Sequence, residues 1–187
     1  MTQEVIWRAD DGIGSEYLFL RLTDDGIEAD SVVFATREVA PSRTWYRAEM
    51  DREWRVRRVQ VRVSNAGVED RGLDLRSDGQ GHWSDAEGRH LGEFDGCVDI
   101  DISATPFTNT LPIRRLGFQS GQVEVIRVLY IHIPSLHVEP LDQRYTRLDA
   151  NRVRYESLDA EFMRELEIDD DGLVVAYPGL FTRVFAS

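Results

Sequence analysis

The sequence predicts a mainly β protein: one strongly curved antiparallel sheet forming a roll or open barrel, with a single short helix near 158–167. Three observations predict it. Short segments alternating apolar and polar residues recur along the whole chain, the period of a half-buried strand. Turn signals separate them at roughly a dozen residues, the spacing of a meander that closes on itself. Those signals include Asp24-Asp25-Gly26, Asn65-Ala66-Gly67, Ser77-Asp78-Gly79 and Ser120-Gly121. Only one stretch carries a helical spacing instead. No linker, low-complexity tract or shift of composition divides the 187 residues, so the chain reads as one domain, 1–187.

In chain order the expected strands begin with Glu16–Leu22, Ala29–Thr36 and Trp45–Glu49. Trp54–Ser64 follows with Val59, Val61 and Val63 on one face and Arg58, Gln60 and Arg62 on the other. A strand of that kind is half solvated, unless the sheet curls so that its polar face lines a concavity. Gly72–Arg76, Gly81–Ser84, Cys97–Ser103 and Gly121–Pro134 continue the series, then Arg144–Leu148, Arg152–Glu156 and Gly172–Tyr177. The predicted helix starts at Ser157 as N-cap. Leu158, Phe162 and Leu166 recur at i, i+4 and i+8 beside Met163, and Asp159 and Glu161 load the first turn. The two halves share an order of glycine, apolar strand, aromatic residue and Arg-x-Arg strand, which is compatible with an internal duplication.

Composition restricts the partners. The net charge of −12 argues against nucleic acid and anionic membrane surfaces, both of which need a positive footprint. All 22 basic residues are arginine, so Schiff-base chemistry on lysine and a P-loop lysine are impossible. No apolar run approaches the ~20 residues of a transmembrane helix. Met1-Thr2-Gln3-Glu4 shows no secretion signal, and the single Cys97 suits a reducing compartment. The expected location is the cytoplasm. Nothing sets the oligomeric state, and no motif asks for a cofactor.

The chemistry concentrates between Gly96 and Leu116. Asp99 and Asp101 share one strand face with Cys97 and Ser103, while Val98, Ile100 and Ile102 take the other. Two like charges on one face need water, a cation or arginine to compensate them. Pro106 and Pro112 bracket a Thr/Asn-rich segment that reads as a stiff polar loop. Arg114 and Arg115 then alternate as on a strand, so one points inward, to a ligand or to Asp99 or Asp101. Paired carboxylates could also serve as general acid and base, or hold a cation, but no third acid or histidine stands at a fixed spacing.

Other patterns dissolve on counting. Asp169-Asp170-Asp171-Gly172 reads as an acidic turn, because Pro178 falls where a calcium loop needs its bidentate glutamate. Gly12-Ile13-Gly14 is too short for a dinucleotide fingerprint. His82, His90, His132 and His137 show no metal spacing, and His132 reads as a core histidine sharing a face with Ile126, Val128 and Tyr130. No serine sits in a nucleophile elbow and Cys97 has no CxxC partner. Trp7, Trp45, Trp54 and Trp83 offer flat apolar faces with one donor each, fit for a core or for sugar and acyl contact.

The run Gly96-Cys97-x-Asp99-x-Asp101, with Thr105-Pro106-Phe107-Thr108-Asn109-Thr110-Leu111-Pro112-Ile113-Arg114-Arg115-Leu116, resembles the hallmark of a bacterial family described as putative glycolipid-binding. Asp78-Gly79 with Trp83, Asp85 and Gly88 matches ahead of it. Gln143-x-Tyr145-Thr146 and the C-terminal Asp171-Gly172-Leu173-Val174, Tyr177-Pro178 and Phe181 match after it. The resemblance implies a spiral β-roll similar to lipoprotein carriers and a non-enzymatic role: a small glycolipid-like amphiphile held in the curved sheet. The candidate ligand-binding residues are Asp99, Asp101, Thr108, Asn109, Arg114, Arg115, Trp54, Arg58 and Tyr145, with no catalytic or metal-ligating residue. The competing reading is an enzyme acting on a sugar- or phosphate-containing small molecule through Asp99 and Asp101.

Overall fold

A computed structural model describes residues 1–35, 41–65 and 69–187. The expected turn at Ala66-Gly67 and the last residue of the Ala29–Thr36 strand lie outside the described residues. Among the described residues, fourteen strands form one sheet. They are β1 (Thr2–Ala9), β2 (Ser15–Leu22), β3 (Ile27–Ala35), β4 (Ser42–Met50), β5 (Val56–Asn65), β6 (Arg71–Ser77) and β7 (Trp83–Asp85). The second half of the chain supplies β8 (Asp99–Ile102), β9 (Val123–Ile131), β10 (Val138–Arg147), β11 (Arg152–Ser157), β12 (Phe162–Ile168), β13 (Val174–Tyr177) and β14 (Phe181–Ala186). A 3-10 turn, Phe107–Asn109, runs into the one α-helix, α1 (Thr110–Leu116).

Across the sheet the order descends from β7 to β1, crosses to β14 and descends again to β8. Neighbours are antiparallel except β8 and β9, which run parallel. The edge strands β7 and β8 are consecutive in the chain yet lie at opposite ends of the sheet. The connection between them must therefore bridge the gap between the two edges of a rolled, unclosed sheet. The Gly96 N–H donates to the Gly81 carbonyl at 3.0 Å, and the Trp83 indole donates to the Cys97 carbonyl at 2.7 Å, tying the two ends together. A right-handed twist accumulated over so many strands makes this curling the natural outcome.

Alternation decides which side faces in. Val5, Trp7 and Ala9 on β1, Leu18 and Leu20 on β2, and Val59, Val61 and Val63 on β5 are all buried. Arg58 and Arg62 point to the outer face of β5, where the Arg58 guanidinium forks onto Asp74 of β6 at 2.9 and 2.7 Å. The basic face of that strand is therefore the solvent side and does not line the concavity.

Two expectations need correcting. The segment 158–167 is not the helix: Leu158 to Glu161 turn, and Phe162–Ile168 is β12, paired with β11. Residues spaced by four share parity as well as a helix face, so the pattern is equally that of a strand burying Leu166 and Ile168. The Thr105–Arg115 segment is the one that turns helical. Pro106 precedes the 3-10 turn, and Pro112 sits in the first turn of α1, where an absent N–H costs little. Gly117 closes the helix in the left-handed conformation at φ 55°. Every residue from Thr105 to Ile113 is buried, so this stretch threads the interior of the roll as a plug. Among the described residues, no helix is long and apolar enough to cross a membrane.

Candidate functional site

The plug fills one end of the roll and leaves a cavity of about 710 Å³ at the other. Its base is the turn from β8 into the plug, contributing Asp101, Ser103, Thr105 and Asn109. Its walls are aromatic and apolar: Tyr130, Tyr155, Phe162, Tyr177 and Phe181, with Ala9, Val33 and Phe34. Tyr155 follows from alternation, since buried Val153 stands two positions earlier on β11; Tyr177 ends β13, whose burial does not alternate. Their rings, 6.4 Å apart, meet Phe162 at 5.9 and 6.4 Å. The hydroxyls of Tyr155 and Tyr177 have no hydrogen-bond partner among the described residues, which leaves them to the cavity. Among the described lining residues there is no arginine, whereas Asp101, Asp11, Glu139 and Asp159 are all present.

Asp101 is held in a hydrogen-bonded frame. The Thr108 hydroxyl donates to its Oδ1 at 2.9 Å and the Gln143 amide to its Oδ2 at 2.7 Å. Behind them, the Tyr145 hydroxyl donates to Asn109 Oδ1 at 3.0 Å and approaches Gln143 Oε1 at 3.4 Å. Burial pushes the Asp101 carboxyl up, against the hydrogen bonds from Gln143 and Thr108. No cation pairs with it among the described residues, so Asp101 is a hydrogen-bond acceptor supported by neutral donors.

Asp99 has a different fate. It is fully buried, and Arg115 of α1 forks onto it with contacts of 3.0, 3.2 and 2.6 Å. Burial raises the Asp99 carboxyl, and the hydrogen bonds and charge of Arg115 oppose that rise; the bidentate geometry is that of a charged pair. Asp99 therefore locks the helix to β8 and does not line the cavity. The two carboxylates, though on one strand face, do not converge on a common substrate position.

Arg114 and Arg115 lie on the last turn of a helix, not in alternation on a strand, and neither lines the cavity. The Arg114 guanidinium stacks 5.1 Å from the Trp54 ring and donates to the Asp171 carbonyl at 3.3 Å, at the opposite end of the roll. Trp54 occupies the left-handed region at φ 64° in a turn organised by Asp51, whose Oδ1 accepts the Glu53 and Arg55 N–H groups. Of the predicted residues, Asp101 and Asn109 reach the cavity, and Thr108 and Tyr145 support them. Asp99 with Arg115, Trp54 with Arg114, and Arg58 each belong to other contacts.

Sequence reasoning missed the tyrosine wall, Gln143 as an Asp101 partner, and Glu16. Glu16 of β2 is buried behind Thr105 and accepts from the Ser31 and Tyr46 hydroxyls at 2.7 Å each. It also missed the cavity rim. His132 is not a core histidine: it is half-exposed at the mouth, its Nε2 2.7 Å from Glu139. The hairpin from β9 to β10 carries His137 into the same cluster.

The family described as Putative glycolipid-binding matches residues 4–183. A crystal structure of a DUF1089 family protein from Pseudomonas aeruginosa is 44% identical, with a TM-score of 0.81, over 90% of this chain and 92% of that one. No curated protein matches the chain.

Proposed function

Because the chain belongs to the Putative glycolipid-binding family, we propose that it holds a single amphiphile with an uncharged, sugar-like head in the cavity and performs no chemistry on it. The lining of the cavity carries this reading. Aromatic and apolar walls accept an acyl portion, and the volume suits one small-molecule ligand. Asp101 and Asn109 with the free hydroxyls of Tyr155 and Tyr177 offer acceptors and donors of the kind that address sugar hydroxyls. Asp101, with no arginine among the described lining residues, disfavours a phosphate or carboxylate head at the base of the cavity. The enzymatic alternative needs Asp99 and Asp101 to act together, and Arg115 occupies Asp99 instead. The single cysteine leads us to place this binding in the cytoplasm.

Displacement of a fluorescent acyl probe tests the head-group preference directly. With metal-free protein, a neutral glycosyl lipid is expected to compete at least ~10-fold better than an anionic phospholipid with the same acyl chains, since one uncompensated charge facing the Asp101 carboxylate costs that much or more. Equal competition, or preference for the anionic lipid, would contradict the assignment.

A further inference from the structure

We propose that His132, His137 and Glu139 form a binding site for a zinc-class divalent metal at the mouth of the cavity, with one coordination position left open toward the cavity. The hairpin geometry creates it. The His132 N–H donates to the His137 carbonyl at 2.9 Å, so the two residues face each other across the β9–β10 hairpin. Glu139 lies two residues beyond His137 on the same face of β10 and pairs with Tyr130 of β9. All three side chains therefore project to one side, the side on which Tyr130, His132 and Glu139 line the cavity.

One ligand atom from each residue lies within 4.8 Å of the others. His132 Nε2 is 2.7 Å from Glu139 Oε1, and His137 Nε2 is 4.0 Å from Glu139 Oε2. Metal–ligand bonds of about 2.0–2.2 Å in a tetrahedron place neighbouring ligand atoms roughly 3.4 Å apart. The observed separations, from 2.7 Å up to 4.8 Å, bracket that value, so rotamer adjustments of about 1.5 Å or less close the site.

The backbone beneath is fixed. Arg71 caps the Pro134 and Ser135 carbonyls at 2.8 and 3.4 Å, and the Ile133 N–H donates to Ser103 Oγ at 2.9 Å. Two imidazoles and one carboxylate are a borderline-soft set that suits zinc, whereas calcium and magnesium require oxygen-rich shells. Three protein ligands leave a fourth position, and the placement of His132 and Glu139 in the cavity wall turns it inward. This site does not depend on the amphiphile reading.

Isothermal titration of metal-free protein with zinc near neutral pH tests it. One zinc per chain is expected, weakened at least ~10-fold by His137→Ala and by His132→Ala, and lost on acidification because bound imidazole must be neutral. His137 is mostly exposed, so its variant keeps the fold; circular dichroism verifies this. A His82→Ala, His90→Ala control should bind as the wild type does. Absence of zinc binding would overturn the proposal, as would binding unchanged in the His137 and His132 variants or equal binding of calcium. Cobalt in place of zinc gives visible absorption bands of a low-coordinate ion. A short alkyl hydroxamate should shift them; bands that do not move would overturn the open position.

Discussion

Replacing Glu16 by glutamine should remove a pH dependence of stability that the wild-type roll carries. Glu16 is 1% exposed; its Oε1 accepts two hydroxyl hydrogen bonds, and its Oε2 has no partner among the described residues. That pattern is of a neutral acid: a carbonyl oxygen used twice and a hydroxyl left over. Burial pushes its pKa from 4.5 up to about 7, against hydrogen bonds from Thr105, Tyr46 and Ser31. Below the unfolded value both states keep the proton and the contribution is fully present. As pH rises from 4.5 to about 7 the unfolded chain releases its proton while the folded one holds it, so stability falls. At about 1.4 kcal/mol for each tenfold change in proton affinity, the loss is complete above about pH 7 and reaches about 3 kcal/mol. Glutamine keeps the accepting oxygen, does not titrate, and places a donor where the acid already carried one. Urea denaturation of both proteins from about pH 5 to about pH 9 should show Glu16→Gln gaining on the wild type by up to about 3 kcal/mol across that interval. Acids held low by their partners, such as Asp78 and Asp85, act equally in both proteins and cancel in the difference. A difference independent of pH, or a variant less stable at the alkaline end, would refute the neutral-acid account.

Arg115→Ala should destabilise the fold by about 3–5 kcal/mol, because it strands the fully buried Asp99 carboxylate. Combining Arg115→Met with Asp99→Asn should recover most of that loss in thermal unfolding; a single-variant cost under about 1 kcal/mol would show the pair to be dispensable. Asp101→Asn should weaken a neutral glycosyl lipid by ~10-fold or more, the worth of one charge-assisted hydrogen bond, while an alkyl probe without a head group binds as before. Equal weakening of both ligands would mean that Asp101 shapes the cavity and does not contact the head.

The strands were legible where alternation met turn residues: Val59, Val61 and Val63 of β5, or Val153 and Tyr155 of β11, are buried as their parity requires. β1 carried the same signal in Val5, Trp7 and Ala9 but went unread, and β14 buries only Phe181 at its start. The helix error has a definite cause, since Phe162 and Leu166 fit both periods and only the pairing with β11 decides between them. The opposite error arose at Thr105–Leu116, where prolines suggest a loop. Tertiary burial around Phe107, Leu111 and Ile113 makes a short helix there worthwhile despite poor propensity. For the site, sequence marked Asp101 and Asn109 but could not tell which carboxylate Arg115 would claim. Nor could it show that Tyr130, Tyr155 and Tyr177, far apart in the chain, share one cavity, because that follows from the curl of the whole sheet.

Native mass spectrometry of the protein purified directly from cells, beside an Ala104→Trp variant, tests the central claim most directly. Ala104 lines the cavity next to Asp101, and an indole there occupies the space assigned to the ligand. The account predicts that the wild type carries one sugar-bearing amphiphile per chain, or acquires one on adding a neutral glycosyl lipid, and that the folded variant does neither. A wild-type chain that stays ligand-free with neutral glycosyl lipid in excess, or a variant that binds as tightly as the wild type, would contradict it.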